Sequence, residues 1–388
     1  MGHNHTAFAP EDVEDARRGA PATSLQPWGE GRRLEFLGSS FVSAFLTALP
    51  AYDDYIFNVC RGEMRPGRFG MVAHLLEELP ATDGQIDGGG TFYGTRVTTK
   101  RGLGSFFGFE KERPQEPFAA NAAWAPTTAA ILRVPELALQ PRVTLEVESG
   151  FLNFGGGRDL GPAGVPGWRL HASDWVSDEL AAAVTGAARP LAGLGATWGR
   201  VLLDHGRLAV IRNGFVADAG SLDHLVATAV AVADALVATA PLPAGTPPWC
   251  QPMEHETAAF REGAGQFGMA LADPVDLHRT HRHLPFPGRA HGLLTGPLPG
   301  SSATGHLAFA VQGGRTSGTY RTVVIAPAAP GAATPLGGTV HKPTDQYVEV
   351  ADGLAVSWPR VRSVGRLEAV EKSAAGVTTL RDLGLAAL

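Results

Sequence analysis

Residues 199–240 read GRVLLDHGRLAVIRNGFVADAGSLDHLVATAVAVADALVATA. The first third is a strand, a reversal and a second strand. Residues 201–203 and 208–211 are short aliphatic runs, and Asp204-His205-Gly206 between them is turn chemistry. The last third changes period. Apolar residues fall at 222, 225, 226, 229, 232, 233, 236 and 237, which is one face of a helix, and Pro241 ends it. A hairpin with one apolar face, followed by a helix long enough to cover it, is a unit of an α+β fold.

The same order of elements returns downstream. TTAAILRVP (127–135) supplies an apolar strand ahead of the first hairpin, and RTVVIAP (321–327) does so ahead of a second. That second hairpin, YVEVADGLAVSW (347–358), turns on Asp352-Gly353, and GRLEAVEKSAA (365–375) follows it as GSLDHLVATAV (220–230) follows the first. The expectation is α+β architecture in two related modules, an internal duplication too long in period for a solenoid. The boundaries expected are a flexible tail at 1–30, a first module at 31–240, a Pro-rich linker at 241–250 and a second module at 251–388.

Other elements follow from local pattern. LEFLGSSFVSAFLTAL (34–49) has a helical stripe, and 68–79 predicts a second helix stopped by Pro80. RVTLEVES (142–149) alternates as a strand does, and WRLHAS (168–173) is a short strand. SDELAAAVTGAA (177–188) predicts a helix capped by Ser177.

WRLHASDWVSDELAAAVTGAARPLAGL, with the hairpin and helix after it, resembles a domain of uncharacterised, often membrane-anchored, actinobacterial proteins. PFPGRAHGLLTGPLPG and the strands beyond it resemble the front half of the same domain. The resemblance covers about half of the chain and implies an α+β fold without a known activity.

Composition narrows the function classes. The net charge is −6 and the pI about 6.1, which is not the footprint of a nucleic-acid binder. No run of 18 apolar residues is present, and the most apolar segment, 225–240, is interrupted by Asp234 and reads as a core helix. The N-terminus lacks the apolar core of a signal peptide, and Cys60 and Cys250 are too few for a disulfide framework. Two buried thiols in a reducing cytoplasm is the expectation.

The densest cluster of chemistry-bearing residues is HRTHRH (278–283). On a helix His278 and His281 share a face; on a strand His281 and His283 do. A zinc site needs a third ligand, and Glu254, His255, Glu256, His291 and His306 are the candidates, but their spacing matches no zinc pattern. Arg279, Arg282 and Arg289 repel a dication, so no metal and no other cofactor is expected. An anion fits this chemistry better, held by Arg279, Arg282, His281 and His283, with Glu256 nearby. The segment is expected to be an exposed loop. The glycine runs match neither a P-loop nor a dinucleotide fingerprint, and HExxH and GxSxG are absent. The function expected is therefore a non-catalytic scaffold that binds a partner protein or assembles with itself. The alternative is an enzyme with a cleft between the modules, using His281, His283 and an acid such as Glu256.

Overall fold

The computed structural model describes residues 24–38, 56–79, 123–147, 158–172, 176–194, 199–251, 258, 261–262, 264–312, 319–359 and 366–388. The first half builds a nine-stranded antiparallel sheet from β1 (Glu35–Gly38), β2 (Ile56–Arg65), β3 (Arg68–Leu79), β4 (Ala123–Arg133), β5 (Val143–Val147), β6 (Arg158–Pro162), β7 (Trp168–Ala172), β8 (Gly199–Leu203) and β9 (Arg207–Asn213). Helices α1 (Gln26–Gly31), α2 (Asp178–Ala187) and α3 (Ala219–Thr239) belong to it. The second half builds a seven-stranded sheet from β10 (Ala270–Ala272), β11 (Arg289–Pro297), β12 (Thr304–Gln312), β13 (Thr319–Pro327), β14 (Thr339–His341), β15 (Gln346–Ala351) and β16 (Leu354–Pro359), with α4 (Pro274–Thr280) and α5 (Arg366–Asp382). The fold is α+β.

The order of strands is β1-β2-β3-β4-β9-β8-β5-β7-β6 in the first sheet and β10-β11-β12-β13-β16-β15-β14 in the second. The seven positions of the second sheet correspond one for one to the first seven of the other. In each half a three-strand meander (β2-β3-β4, β11-β12-β13) is extended by a hairpin (β8-β9, β15-β16), and a long helix follows that hairpin.

Both hairpins turn as the sequence predicts. His205 and Gly206, and likewise Asp352 and Gly353, have positive φ at successive positions, the geometry whose twist suits a two-residue hairpin. Gly206 has a second reason to be glycine: a Cβ there would lie 3.1 Å from Ala138 Cα and 3.2 Å from the Val134 carbonyl oxygen. That close approach lets Val134 donate a 2.7 Å backbone hydrogen bond to the Gly206 carbonyl.

Strand alternation sorts the apolar side chains into separate cores. Val72, Ala130, Leu132, Val201, Leu203, Leu208 and Val210 point to one side of the first sheet, where they meet α2 and α3. Met71, Ala73, Leu75, Ala129, Ile131, Leu202, Ala209 and Ile211 point to the other. There they meet the inner face of the second sheet, including Leu293, Ala308, Val323, Ile325, Val356 and Trp358. Leu294, Leu307, Phe309, Val324 and Ala355 face outward from the second sheet onto Val377 and Leu380 of α5. The order of layers is therefore helix, sheet, sheet, helix, and the middle core belongs to both halves.

Two helix expectations are corrected. Residues 68–79 are β3, paired to both β2 and β4. A strand between two others that is buried on both faces loses the polar alternation that marks a strand, so its apolar positions pass for a helical stripe. Residues 35–38 are β1 and not the start of a helix; positions 39–49 of that expectation lie outside the described residues. Helix α2 starts as predicted, with Ser177 accepting from Leu180 N at 3.2 Å; α3 starts at Ala219, two residues before the predicted 221, where Asp218 caps it by accepting from Ser221 N at 2.8 Å.

The Pro-rich stretch 241–250 is packed against the body. Gln140 Nε2 donates to the Pro241 carbonyl at 2.7 Å, and Trp249 Nε1 to the Leu139 carbonyl at 3.0 Å. Trp249 and Cys250 are buried with Leu139, Val275 and Ala290. Cys60 is buried too, and both cysteines are free thiols whose pKa values burial pushes up, to about 11 at Cys60 and about 12 at Cys250.

Candidate functional site

The histidine segment straddles a helix end. Asp273 caps α4 by accepting from Val275 N at 2.8 Å, Pro274 opens the helix, and the last turn holds His278 and Arg279. His281 is the C-cap, so the chain leaves the helix in the middle of the motif and its three rings diverge. His278 faces inward and is only 1 % exposed, with Nε2 3.2 Å from the Glu136 carbonyl. Burial lowers its pKa, with the Glu136 carbonyl opposing, and keeps the ring neutral. This corrects the exposed loop expected for this residue: the inward side of a one-turn-plus helix is buried whatever residue occupies it.

The other two rings meet a single residue, Asp352, at the tip of the β15-β16 hairpin. His281 Nδ1 lies 3.0 Å from the Asp352 carbonyl. The His283 backbone donates to Asp352 Oδ2 at 2.7 Å, and its ring Nδ1 lies 2.9 Å from Oδ1. Burial alone would raise the Asp352 carboxyl, but the His283 amide and ring, with charge on His283 and His281, outweigh it and hold it below the ordinary range. Arg279 turns away, donating to Asp276 at 2.9 Å and to the Ala244 carbonyl at 2.7 Å. Arg282 is exposed, and Glu256 lies outside the described residues. Among the described residues no three His, Cys, Asp or Glu side chains are placed to hold a metal ion. His281 and His283 are thus brought together at Asp352, one on its carbonyl and one on its carboxylate, whose charge an incoming anion would meet.

From His283 a line of polar contacts crosses the molecule. Its Nε2 is 4.0 Å from Glu136 Oε1. Glu136 accepts from Arg68 Nη1 at 2.7 and 2.8 Å, both side chains being buried. Arg68 lies 3.5 Å from Asp234 on α3, which also pairs with Arg65. A second link joins the sheets directly. Arg133 of β4 grips Glu349 of β15 with two guanidinium nitrogens, one at 2.6 Å, and Tyr347 donates to Glu349 at 2.5 Å and stacks on Trp358. Burial works against the charge on Arg133, but Glu349 and Tyr347 outweigh it and raise its pKa. At the β8-β9 tip, burial raises the Asp204 carboxyl against the pull of Arg142, Arg207 and Arg289, and Arg207 donates to the Phe286 carbonyl at 3.0 Å. His205 beside it is lowered to about 3 by burial and by the same arginines. The histidine motif and these contacts act chemically as a seam: they hold one half of the molecule against the other.

The line of contacts ends at a surface feature that the motif search did not find. A groove of about 580 Å³ runs between α1, the β2-β3 hairpin and α3. Leu34, Met64, Val226 and Val230 line it, and Ala227 and Ala231 form the α3 wall. At one end Arg32 pairs with Asp223 and lies 4.9 Å over the Trp28 ring, whose Nε1 donates to Asp223 at 3.1 Å. At the other end Arg65 pairs with Asp234. The signal was present in the sequence: 227, 230, 231, 235 and 238 are Ala or Val although they lie off the predicted apolar stripe.

By length and composition α3 is the one described helix that could cross a membrane. In the structure its inner face, Leu222, Leu225, Ala229, Val232 and Leu236, packs on the first sheet, so it is no clear membrane span. No protein-family model, curated protein or solved structure matches this chain.

Proposed function

We propose that this protein is a binding and assembly module and that its working surface is the groove along α3, with no part in it for the histidine motif. The observation that carries this reading is the apolar outer face of α3. From 222 to 238 the exposed positions are Asp223, His224, Ala227, Ala231 and Ala238, and beside them Val230, Ala235 and Val237 are half-buried against the core of the first half. A surface helix ordinarily presents charge to water, and one that is apolar all round is covered by something. The groove beside that face has the size and lining to take a protein ridge, with ion pairs at both ends as a polar rim. The duplicated origin of the two halves belongs to the same proposal, supported by their matching strand order.

The test places a charge in the groove and removes the histidines separately. Ala231→Arg abolishes association of the chain, read by sedimentation velocity alone and in an extract of its source cells. The triple variant His278→Gln, His281→Gln, His283→Gln leaves association intact. A chain whose association follows the histidines and ignores Ala231 would sink the assembly reading in favour of a histidine-based activity.

A further inference from the structure

Away from the α3 groove, the end of the first sheet at the β8-β9 tip carries a row of charged side chains. We infer that this row is a binding site for a small oxyanion of the phosphate class, held by Arg142 together with Arg207 and Arg289. Register sets the row. Asp204 and Arg207 exchange backbone hydrogen bonds of 2.9 and 3.2 Å across the turn. Val143 pairs with Leu203, so Arg142, one residue earlier, lies beside Asp204, one residue later. Arg133 pairs with Arg207. Strand alternation puts all four on the face of Ile131, Leu202 and Ala209, which looks toward the second sheet. The order across the sheet is thus Arg142, Asp204, Arg207, Arg133. From the second half Arg289, which opens β11, acts on the same carboxylate, and the chain just before it is fixed there by Arg207 donating to the Phe286 carbonyl at 3.0 Å.

Like charges on neighbouring strands repel, and the fold matches one of them directly: Arg133 is paired with Glu349 across the seam. Asp204 does not match the others in the same way. Its one side-chain contact among the described residues is with His205 Nε2 at 3.5 Å. Arg142 makes no hydrogen bond or ion pair among the described residues, although its Nε is shielded from water. Three guanidiniums therefore surround a carboxylate that they do not touch. An oxyanion with three or four oxygens can bridge such a set, each oxygen taking donors from a different arginine. Neighbouring groups agree with a surplus of positive charge. Burial lowers His205 to about 3, with Arg289, Arg207 and Arg142 adding to it. Burial also lowers Arg207 to about 10, which Asp204 opposes without restoring.

Solvent reaches the row. The Asp204 and His205 side chains are 17 % and 14 % exposed, and Arg142 is half-buried. The contrast with the histidine motif is one of charge. At Asp352 an anion would meet a carboxylate from which Arg279 has turned away; at Asp204 it meets a carboxylate outnumbered by guanidiniums. Arg142 and Arg207 belong to the first half and Arg289 to the second. An oxyanion seated among them ties the two halves together, so its binding and the stability of the protein are linked.

The experiment uses the full chain and inorganic phosphate, in chloride buffer of matched ionic strength. Calorimetry gives one phosphate per chain with a dissociation constant of about 1 mM or below, and the unfolding midpoint rises with phosphate. Arg142→Met weakens binding about tenfold or more, and because Arg142 makes no hydrogen bond its midpoint without phosphate stays in place. Asp204→Asn removes the competing carboxylate and tightens binding about threefold or more. The two shifts have opposite signs, so a loss of structure cannot imitate both, and Asp204→Asn decides the matter if Arg142→Met fails to fold. Phenyl phosphate distinguishes the sources of the ligand: equal affinity identifies the charged end of a larger molecule, and exclusion identifies the free ion. Either result, with the two variants shifting as stated, supports the site. No uptake at about 20 mM phosphate, or uptake that both variants leave unchanged, overturns the inference.

Discussion

Two helices occupy equivalent places in this molecule and differ in the charge their sequences carry. Helix α3 follows the β8-β9 hairpin and covers the first sheet; α5 follows β15-β16 and covers the second. Their inner faces are alike, with Leu225 and Leu236 on one and Val377 and Leu380 on the other, all inaccessible. Their charge content is not. The 17 residues of α5 include six charged ones, Arg366, Glu368, Glu371, Lys372, Arg381 and Asp382, while the 21 of α3 include two, Asp223 and Asp234. The inner faces answer to the same demand, to cover a sheet. The rest of each helix answers to its surroundings, and the lower charge of α3 is what the assembly proposal rests on.

The comparison breaks most visibly if the inner faces are unequal. Leu225→Asp on α3 and Leu380→Asp on α5 each bury an unpaired charge and lose about 4 kcal/mol or more of unfolding free energy in urea titration. A loss below about 1 kcal/mol at either site would show that helix to be peripheral. Arg133→Met comes next. It strands Glu349 between the sheets and costs about 3–4 kcal/mol, and because the middle core is shared, the protein still unfolds in one transition. Two separate transitions in the variant would mean that the halves are independent bodies.

Acid sharpens the contrast between the helices. His74 of β3 is fully buried, with Nε2 3.0 Å from the Val216 carbonyl and Nδ1 3.2 Å from the Asn58 amide, and so holds the lead-in to α3. Burial lowers its pKa from the ordinary 6.5 to about 4. A folded pKa below the unfolded one means that the unfolded chain binds the proton first as pH falls. The stabilisation is complete above about pH 6.5 and is lost on descent toward 4, on the order of 2–3 kcal/mol. Hydrogen exchange should show the N-terminal turn of α3 opening in that window and the α5 backbone staying protected. Loss of protection at α5 first would refute this assignment. His278→Ala then costs about 2 kcal/mol through a lost buried hydrogen bond and a cavity, while His281→Ala and His283→Ala each stay below about 1 kcal/mol. Equal effects at the three positions would mean that the motif acts as one site after all. Smallest in stability, at a protein concentration low enough to keep the chain unassociated, are two exposed positions: Ala231→Arg on α3 and Thr378→Arg on α5 each shift unfolding by less than about 0.5 kcal/mol, and at high concentration only the first alters sedimentation.

The local order of hairpin, turn and helix was legible because each of those elements carries its own period or its own turn residues. Asp352-Gly353 fixes a reversal, Ser177 fixes a helix start, and 222 to 236 fixes a helix face, all from neighbours in sequence. Residues 68–79 were misread because β3 is central and buried on both sides, and only its partners β2 and β4, set by non-local pairing, decide that it is a strand. The site divides in the same way. The sequence determined that His278, His281 and His283 lie together, and that α3 is apolar beyond what one sheet can cover. That His278 would reach Glu136 and the other two Asp352, 142, 71 and 69 residues away, was decided by the two sheets stacking. The groove was decided there too, since Trp28, Met64 and Asp234 share no local pattern. Period and capping are short-range forces that a sequence displays directly. The pairing of distant charges depends on which faces the shared core brings together, and that is fixed only when the chain has folded.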